Sequence, residues 1–106
     1  VGIVSMNNTP DKMAKAGFTT TKSELVNAPI INELPMTLEC KLTKFTEDGN
    51  VIGEIVNISA DESILGEDGK IDVDKLAPIS YEPVHNTYRV LGEVVGQAFS
   101  DGAKLK

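Results

Sequence analysis

The sequence predicts a mainly β protein with one or two short helices, its strands inside a barrel or under another layer. Three observations predict it. Met36–Phe45 and residues 51–59 are alternating segments joined across an Asp48-Gly49 turn, the pattern of a β-hairpin. The second segment carries Val51, Ile52, Ile55, Val56 and Ile58 on both faces around Gly53; a strand apolar on both faces belongs under another layer or inside a barrel, and a glycine in it marks a bend or bulge. Helical signals are brief, one before Gly17 and one before Pro78.

The chain opens on Val1-Gly2-Ile3-Val4 with no preceding Met, as expected of a sequence cut or processed from something longer. Thr9, Pro10 and Asp11 form a helix start: Thr9 as cap, Pro10 in the first turn where its missing N–H costs nothing, Asp11 at the positive end. Gly17 suits the end of the helix. Residues 18–35 lack periodicity and are expected to be an extended, mostly irregular connection whose Leu25, Val26, Ile30, Ile31 and Leu34 partly cover a surface. In the first strand of the hairpin, Met36, Leu38, Cys40 and Leu42 are expected inward and Thr37, Glu39, Lys41 and Thr43 outward. Thr46-Glu47-Asp48-Gly49-Asn50 supplies the turn.

Six acidic residues, Asp61, Glu62, Glu67, Asp68, Asp72 and Asp74, follow the hairpin. A calcium loop fails on spacing: with Gly69 at the sixth position, Ile64, Gly66 and Lys75 fall where oxygen ligands are required. The reading is a solvated Asp68-Gly69 turn and a helical turn over residues 72–76. Tyr81, His85 and Tyr88 share one loop-like segment, and residues 90–99 read as a packed terminal strand or turn.

At 106 residues the chain is expected to be a single domain. A net charge of -6 with Arg89 as its one arginine argues against nucleic acid, whose phosphates demand clustered Lys and Arg. No apolar run approaches the ~18 residues of a membrane-spanning helix, so no membrane partner is expected. The single cysteine, Cys40, cannot form an internal disulfide and is expected to be a buried small hydrophobe, in keeping with a cytoplasmic setting. With one His and one Cys there is no hydrolytic triad and no metal cluster, and no catalytic residue is assigned.

Eight segments stand out in order: Gly2-Ile3-Val4-Ser5, Asp11-Lys12, Ala16-Gly17-Phe18-Thr19, Leu25-Val26-Asn27-Ala28-Pro29-Ile30-Ile31, Glu39-Cys40-Lys41-Leu42, Ile52-Gly53-Glu54-Ile55-Val56, Asp68-Gly69-Lys70-Ile71-Asp72 and Tyr88-Arg89-Val90-Leu91-Gly92. Taken together they resemble the flavin reductase-like family, the FMN-binding split barrels that include flavoredoxins. They stand in the family's order and span nearly the whole chain, which corresponds to the later part of the family's domain. The resemblance implies a split-barrel-like fold, here a partial barrel, with FMN as cofactor, a homodimer, and NAD(P)H or a redox protein as electron partner.

Within that resemblance, residues 5–12 are the phosphate-facing element. Ser5, Asn7, Asn8, Thr9 and Lys12 offer the hydroxyl, amide and ammonium donors that a dianion needs. Tyr81, His85 and Tyr88 are the candidates for a platform under the flavin ring. The same residues also admit an ordinary capped helix start and a solvated loop histidine. The competing functions are a non-catalytic dimerisation or interaction module without flavin, and a small β-rich binding protein unrelated to flavin.

Overall fold

In chain order the protein forms α1 (Lys12–Lys15), β1 (Thr20–Lys22), β2 (Pro29–Ile31), β3 (Met36–Phe45), β4 (Val51–Ala60), a 3-10 turn (Glu62–Ile64), α2 (Val73–Leu76), β5 (Ile79–Glu82), β6 (Thr87–Val90) and a 3-10 turn (Asp101–Leu105). It is mainly β with two short helices, as the sequence predicts. The strands pair as three separate two-stranded antiparallel sheets, none closed. This computed structural model describes residues 2–106 and forms two compact units, one ending at Leu76 and one comprising Ala77–Lys106.

The β3–β4 hairpin dominates the first unit. Leu38 pairs with Ile58 and Glu39 with Asn57, but Cys40 pairs with Ile55, so Val56 is the extra residue of a bulge. One inserted residue shifts the two-residue alternation by one step. Ile58 and Ile55, three apart in sequence, thereby lie on the same face as Leu38 and Cys40. The apolar residues of β4 that alternation alone assigns to both faces are largely gathered onto one. A second irregularity lies between Leu42 and Lys44, beside Gly53. A Cβ at Gly53 would meet Cys40 Cβ at 3.3 Å and the Lys41 carbonyl oxygen at 3.4 Å, so glycine lets the strands run close here. At the turn, Thr46 N–H donates to the Asn50 carbonyl at 2.9 Å, and Asn50 N–H returns to Thr46 Oγ1 at 2.9 Å. Gly49 takes φ +87°.

The expected burial of that face is not observed. Leu38, Leu42, Ile55 and Ile58 are between 47% and 58% exposed, and Cys40 is exposed rather than a buried hydrophobe. The reason is topological: the hairpin is a sheet of two strands, and among the described residues no second layer packs over its apolar face. Glu39, expected outward, is the residue of β3 that is buried.

Residues 18–35 are not irregular. Thr20, Thr21 and Lys22 pair with Ile31, Ile30 and Pro29 as a short hairpin, closed by Ser23 N–H donating to the Ala28 carbonyl at 3.0 Å. Three-residue strands are too short to display a period. Glu33 fastens its outer end, with both carboxylate oxygens accepting from Thr19 N–H, at 2.8 and 2.9 Å.

Helix α1 starts later than expected, with Asp11 at its N-cap and no side-chain cap bond. Thr9 contributes its carbonyl to Lys12 N–H at 3.1 Å, not its hydroxyl as a cap. The end matches expectation: Gly17 at φ +77° lets its N–H reach the Ala14 carbonyl and Phe18 N–H reach that of Met13, each at 2.9 Å.

The acidic stretch is turn chemistry. Asp61 Oδ1 accepts from Ser63 N–H at 2.8 Å, Asp68 Oδ1 from Lys70 N–H at 3.1 Å, and Asp72 Oδ1 from Asp74 N–H at 2.9 Å. These bonds wrap the segment around Ile64, the buried apolar residue of the first unit.

In the second unit, the segment read as a loop is a hairpin: Ile79–Glu82 pairs with Thr87–Val90. Residues 91–97, expected as a packed terminal strand or turn, carry no regular structure. Val94, Val95 and Phe99 are 88–107% exposed. Gly92 and Gly96 disfavour an extended strand, and the hairpin's register ends at Val90.

Candidate functional site

The candidate residues fall into two local groups, one in each unit. In the first, the chain folds back at residues 5–9, where Asn8 N–H and Thr9 N–H donate to the Ser5 carbonyl at 3.2 and 2.9 Å. Ser5 Oγ accepts from Asn7 N–H at 3.1 Å. The Lys12 ammonium donates to the Val4 carbonyl at 2.6 Å. Ser5, Asn7, Asn8, Thr9 and Lys12 therefore do form one turn-and-helix element. Two backbone N–H groups that an anion could use, those of Asn8 and Thr9, are already spent on the Ser5 carbonyl, and the lysine is engaged. The hydroxyl and amide side chains suit a phosphate's oxygens in kind. Val4, Thr9, Lys12, Lys15 and Ala16 line a shallow depression beside them.

In the second unit Tyr81 and Tyr88 are direct partners across the β5–β6 hairpin. Their ring centroids lie 5.7 Å apart with planes inclined by 55°, a tilted aromatic pair. The Tyr81 hydroxyl donates to Asn86 Oδ1. His85 sits in the connecting turn with Nδ1 3.1 Å from Glu82 Oε2. Glu82 organises that turn, accepting from the N–H groups of Val84 and His85 and from the Thr87 hydroxyl. Burial pushes the Glu82 carboxyl up, but these hydrogen bonds outweigh it and hold it below the usual carboxylate range. The two tyrosines form a surface on which a planar ring could rest, and His85 is tied to the hairpin's own turn.

Sequence reasoning missed one cluster. Glu39, only 6% exposed, receives the Ser23 hydroxyl on Oε1 and Asn57 Nδ2 on Oε2, the latter at 2.5 Å. Ser23 Oγ in turn accepts from Leu25 N–H and Val26 N–H, each at 3.0 Å. The cluster pins the loop between β1 and β2 onto the β3–β4 hairpin. Glu39 and Asn57 are cross-strand partners in the register, so their pairing was available to sequence; Ser23, sixteen residues away, was not. A cleft of about 380 Å³ lies alongside, lined by Thr21, Lys22, Glu24, Leu25, Ile30, Glu39, Asn57 and Ser59. Among the described residues no group of His, Cys, Asp and Glu side chains is placed to hold a metal ion, and no helix is long and apolar enough to cross a membrane.

No family model matches the chain. It is 38% identical over 99 residues to an uncharacterized protein of Aquifex aeolicus, covering 91% of this chain and 46% of that one. Among solved structures it matches flavoredoxin of Desulfovibrio vulgaris with 41% identity and a TM-score of 0.80, over 87% of this chain and 50% of the other. Flavoredoxin from Methanosarcina acetivorans matches with 29% identity and a TM-score of 0.82, over 98% and 55%. Nitrilotriacetate monooxygenase component B from Bacillus cereus matches at 27% and 0.64, over 81% and 46%. The resemblance to the flavin reductase-like family thus holds in both sequence and fold, and the fold is split-barrel-like. The chain spans about half the length of the proteins it matches.

Proposed function

We propose that this flavoredoxin-like chain forms part of an FMN-binding unit that passes electrons or hydride through the flavin. The observation that carries this reading is the 41% identity to a flavoredoxin, sustained over 87% of the chain at a TM-score of 0.80. Bound flavin would supply the redox chemistry, accepting and releasing reducing equivalents at its ring. The chain's own residues would bind and orient. In the first unit Ser5, Asn7, Asn8 and Thr9 would donate to phosphate oxygens and Lys12 would add positive charge; in the second, the Tyr81–Tyr88 pair would by itself offer a stacking surface. None of these groups needs to act as acid or base. The reading extends to a homodimer in the cytoplasm, with NAD(P)H or a redox protein as electron partner.

Affinity in the isolated chain is expected to be weak. The net charge of -6 repels an anionic ligand at long range, and only local donors attract it. Fluorescence titration with FMN tests this. Lys12→Ala and Tyr88→Ala should each weaken binding roughly tenfold, by loss of a charge-assisted contact and of a stacking face. Unchanged affinity in both clears these residues. No binding by the chain, alone or within a full-length relative's domain, defeats the flavin reading and leaves the non-catalytic interaction module, which the chain's bare apolar hairpin face favours.

A further inference from the structure

The polar face of the β3–β4 hairpin, unlike the apolar one, is partly covered from within this chain. Glu39, Asn57 and Ser59 line the cleft of about 380 Å³ together with Thr21, Lys22 and Ile30 of the β1–β2 hairpin. Ile30 and Ser59 also line a neighbouring recess of about 230 Å³, where Ile31, Leu34 and Pro35 supply an apolar wall. The two recesses share these walls as one trough, carboxylate-bearing at one end and largely apolar at the other. Together they reach the ~300–1,000 Å³ of small-molecule sites.

A carboxylate as buried as Glu39, 6% exposed, is ordinarily paired with a cation. Its donors here are both neutral, the Ser23 hydroxyl on one oxygen and the Asn57 amide on the other. No ion pair among the described residues includes it. An ionised carboxylate has about four acceptor positions, so roughly two stay open once Ser23 and Asn57 are served. We propose that this trough binds a small organic cation, a primary amine with an aryl or alkyl stem. Its ammonium meets the open positions of Glu39 and its stem lies along Ile30, Ile31 and Leu34.

Charge and donor count select this class. Glu24, Glu39 and Asp61 line the trough against Lys22 alone, and the net charge of -6 concentrates cations around the chain. A metal ion finds no ligand group among the described residues. An ammonium carries three donors on one compact centre, and the Thr21 and Ser59 hydroxyls beside Glu39 offer further acceptors. The trough shares no residue with the flavin candidates, and the proposal does not rest on the flavin reading.

The full chain, labelled with ¹⁵N, is titrated at neutral pH with phenethylamine and followed by its amide resonances. Saturable shifts are expected at Thr21, Lys22, Ser59 and the Asn57 side-chain amide. Phenethylamine should bind roughly tenfold tighter than 2-phenylethanol, which keeps the stem without the charge, and than ethylamine, which keeps the charge without the stem. Ser59→Lys, at an exposed position, should abolish binding by giving Glu39 a cation from the chain itself. That variant leaves the Glu39–Ser23–Asn57 clamp untouched, so it tests the site even where Glu39→Gln loosens the loop. Lys22→Ala should tighten binding a few-fold by removing a competing ammonium. Equal affinity for 2-phenylethanol, unchanged binding in Ser59→Lys, or weaker binding in Lys22→Ala overturns the proposal. Shifts of the same affinity across the acidic turns of residues 67–74 also overturn it, and reduce the effect to attraction by net charge. No flavin enters the measurement, so its outcome is separate from that of the flavin titration.

Discussion

Glu39 shows how one carboxylate can fix a loop. Hydrogen bonds from Asn57 and then Ser23 hold its carboxyl below the ordinary carboxylate range, against the opposing effect of burial. A depressed folded-state pKa means that the unfolded chain binds the proton more tightly. The contribution to stability is therefore complete above the unfolded value of about 4.3 and is lost as pH falls through the folded one. Glu33, Asp48 and Asp61 are shifted in the same direction by their own hydrogen bonds, so acid destabilisation is shared. The melting temperature should be flat above about pH 5.5 and fall below it. Glu39→Gln should make that fall shallower without removing it, and an unchanged profile would deny Glu39 its part. Ser23→Ala should accelerate hydrogen exchange at Leu25 and Val26, whose N–H groups lose their acceptor. Alternation assigned Glu39 to the correct, polar face of its strand. Its burial was illegible because the residues covering it come from a loop sixteen positions earlier.

At the scale of elements, what sequence conveyed is what short-range chemistry decides. The Gly17 helix end and the Thr46-to-Asn50 turn each follow from residues a few positions apart; the helical turn expected over residues 72–76 forms as α2, and the structure adds Asp72 as its cap. Asp72→Ala should cost about 1 kcal/mol by orphaning the Asp74 N–H. Gly17→Ala should cost about as much, because an L side chain is strained at φ +77°. Chemical denaturation at neutral pH measures both, and a loss below a few tenths of a kcal/mol would contradict either assignment. The bulge at Val56 is the subtler case. Apolar residues at 55 and 58 cannot share a face under strict alternation, and sequence took the conflict for burial on both sides. The hairpin resolves it by inserting a residue. Deleting Val56 should leave residues 51–55 paired and facing as before, because Ile55 and Ile58 are then two apart and plain alternation keeps them on one face. The hairpin should therefore tolerate the deletion, and a large loss of stability would contradict the bulge assignment. The three-residue strands β1 and β2 and the four-residue β5 and β6 escaped notice because pairing, not pattern, defines them.

At the scale of the whole molecule, the fold was legible because the spaced segments from Gly2 to Gly92 kept their order, and the candidate site was legible only in part. Residues 5–12 do form one element, and Tyr81 and Tyr88 do meet, because each group is local in sequence. What lies over the apolar hairpin face was beyond reach, since among the described residues no second layer packs over it. That deficit sets the distribution of stability. Local opening is resisted where hydrogen-bonded backbone and apolar contacts are dense, and isolated two-stranded sheets are marginal in water. The ten-residue strands β3 and β4, with Glu39 and Ser23 clamping a loop against them, should hold the slowest-exchanging amides. The β5–β6 hairpin, four residues a side and supported by one tyrosine pair, should exchange faster. Residues 91–96, without regular structure and with Val94 and Val95 exposed, should exchange at the rate of an unfolded chain, whereas the Gln97 N–H is held by Asp101 Oδ2 at 2.7 Å. Hydrogen–deuterium exchange read by NMR tests the order. Protection in residues 91–96 equal to that in β3–β4 would show that the tail packs on something, and would move the unmet apolar demand of this protein from its hairpin to its C-terminal run.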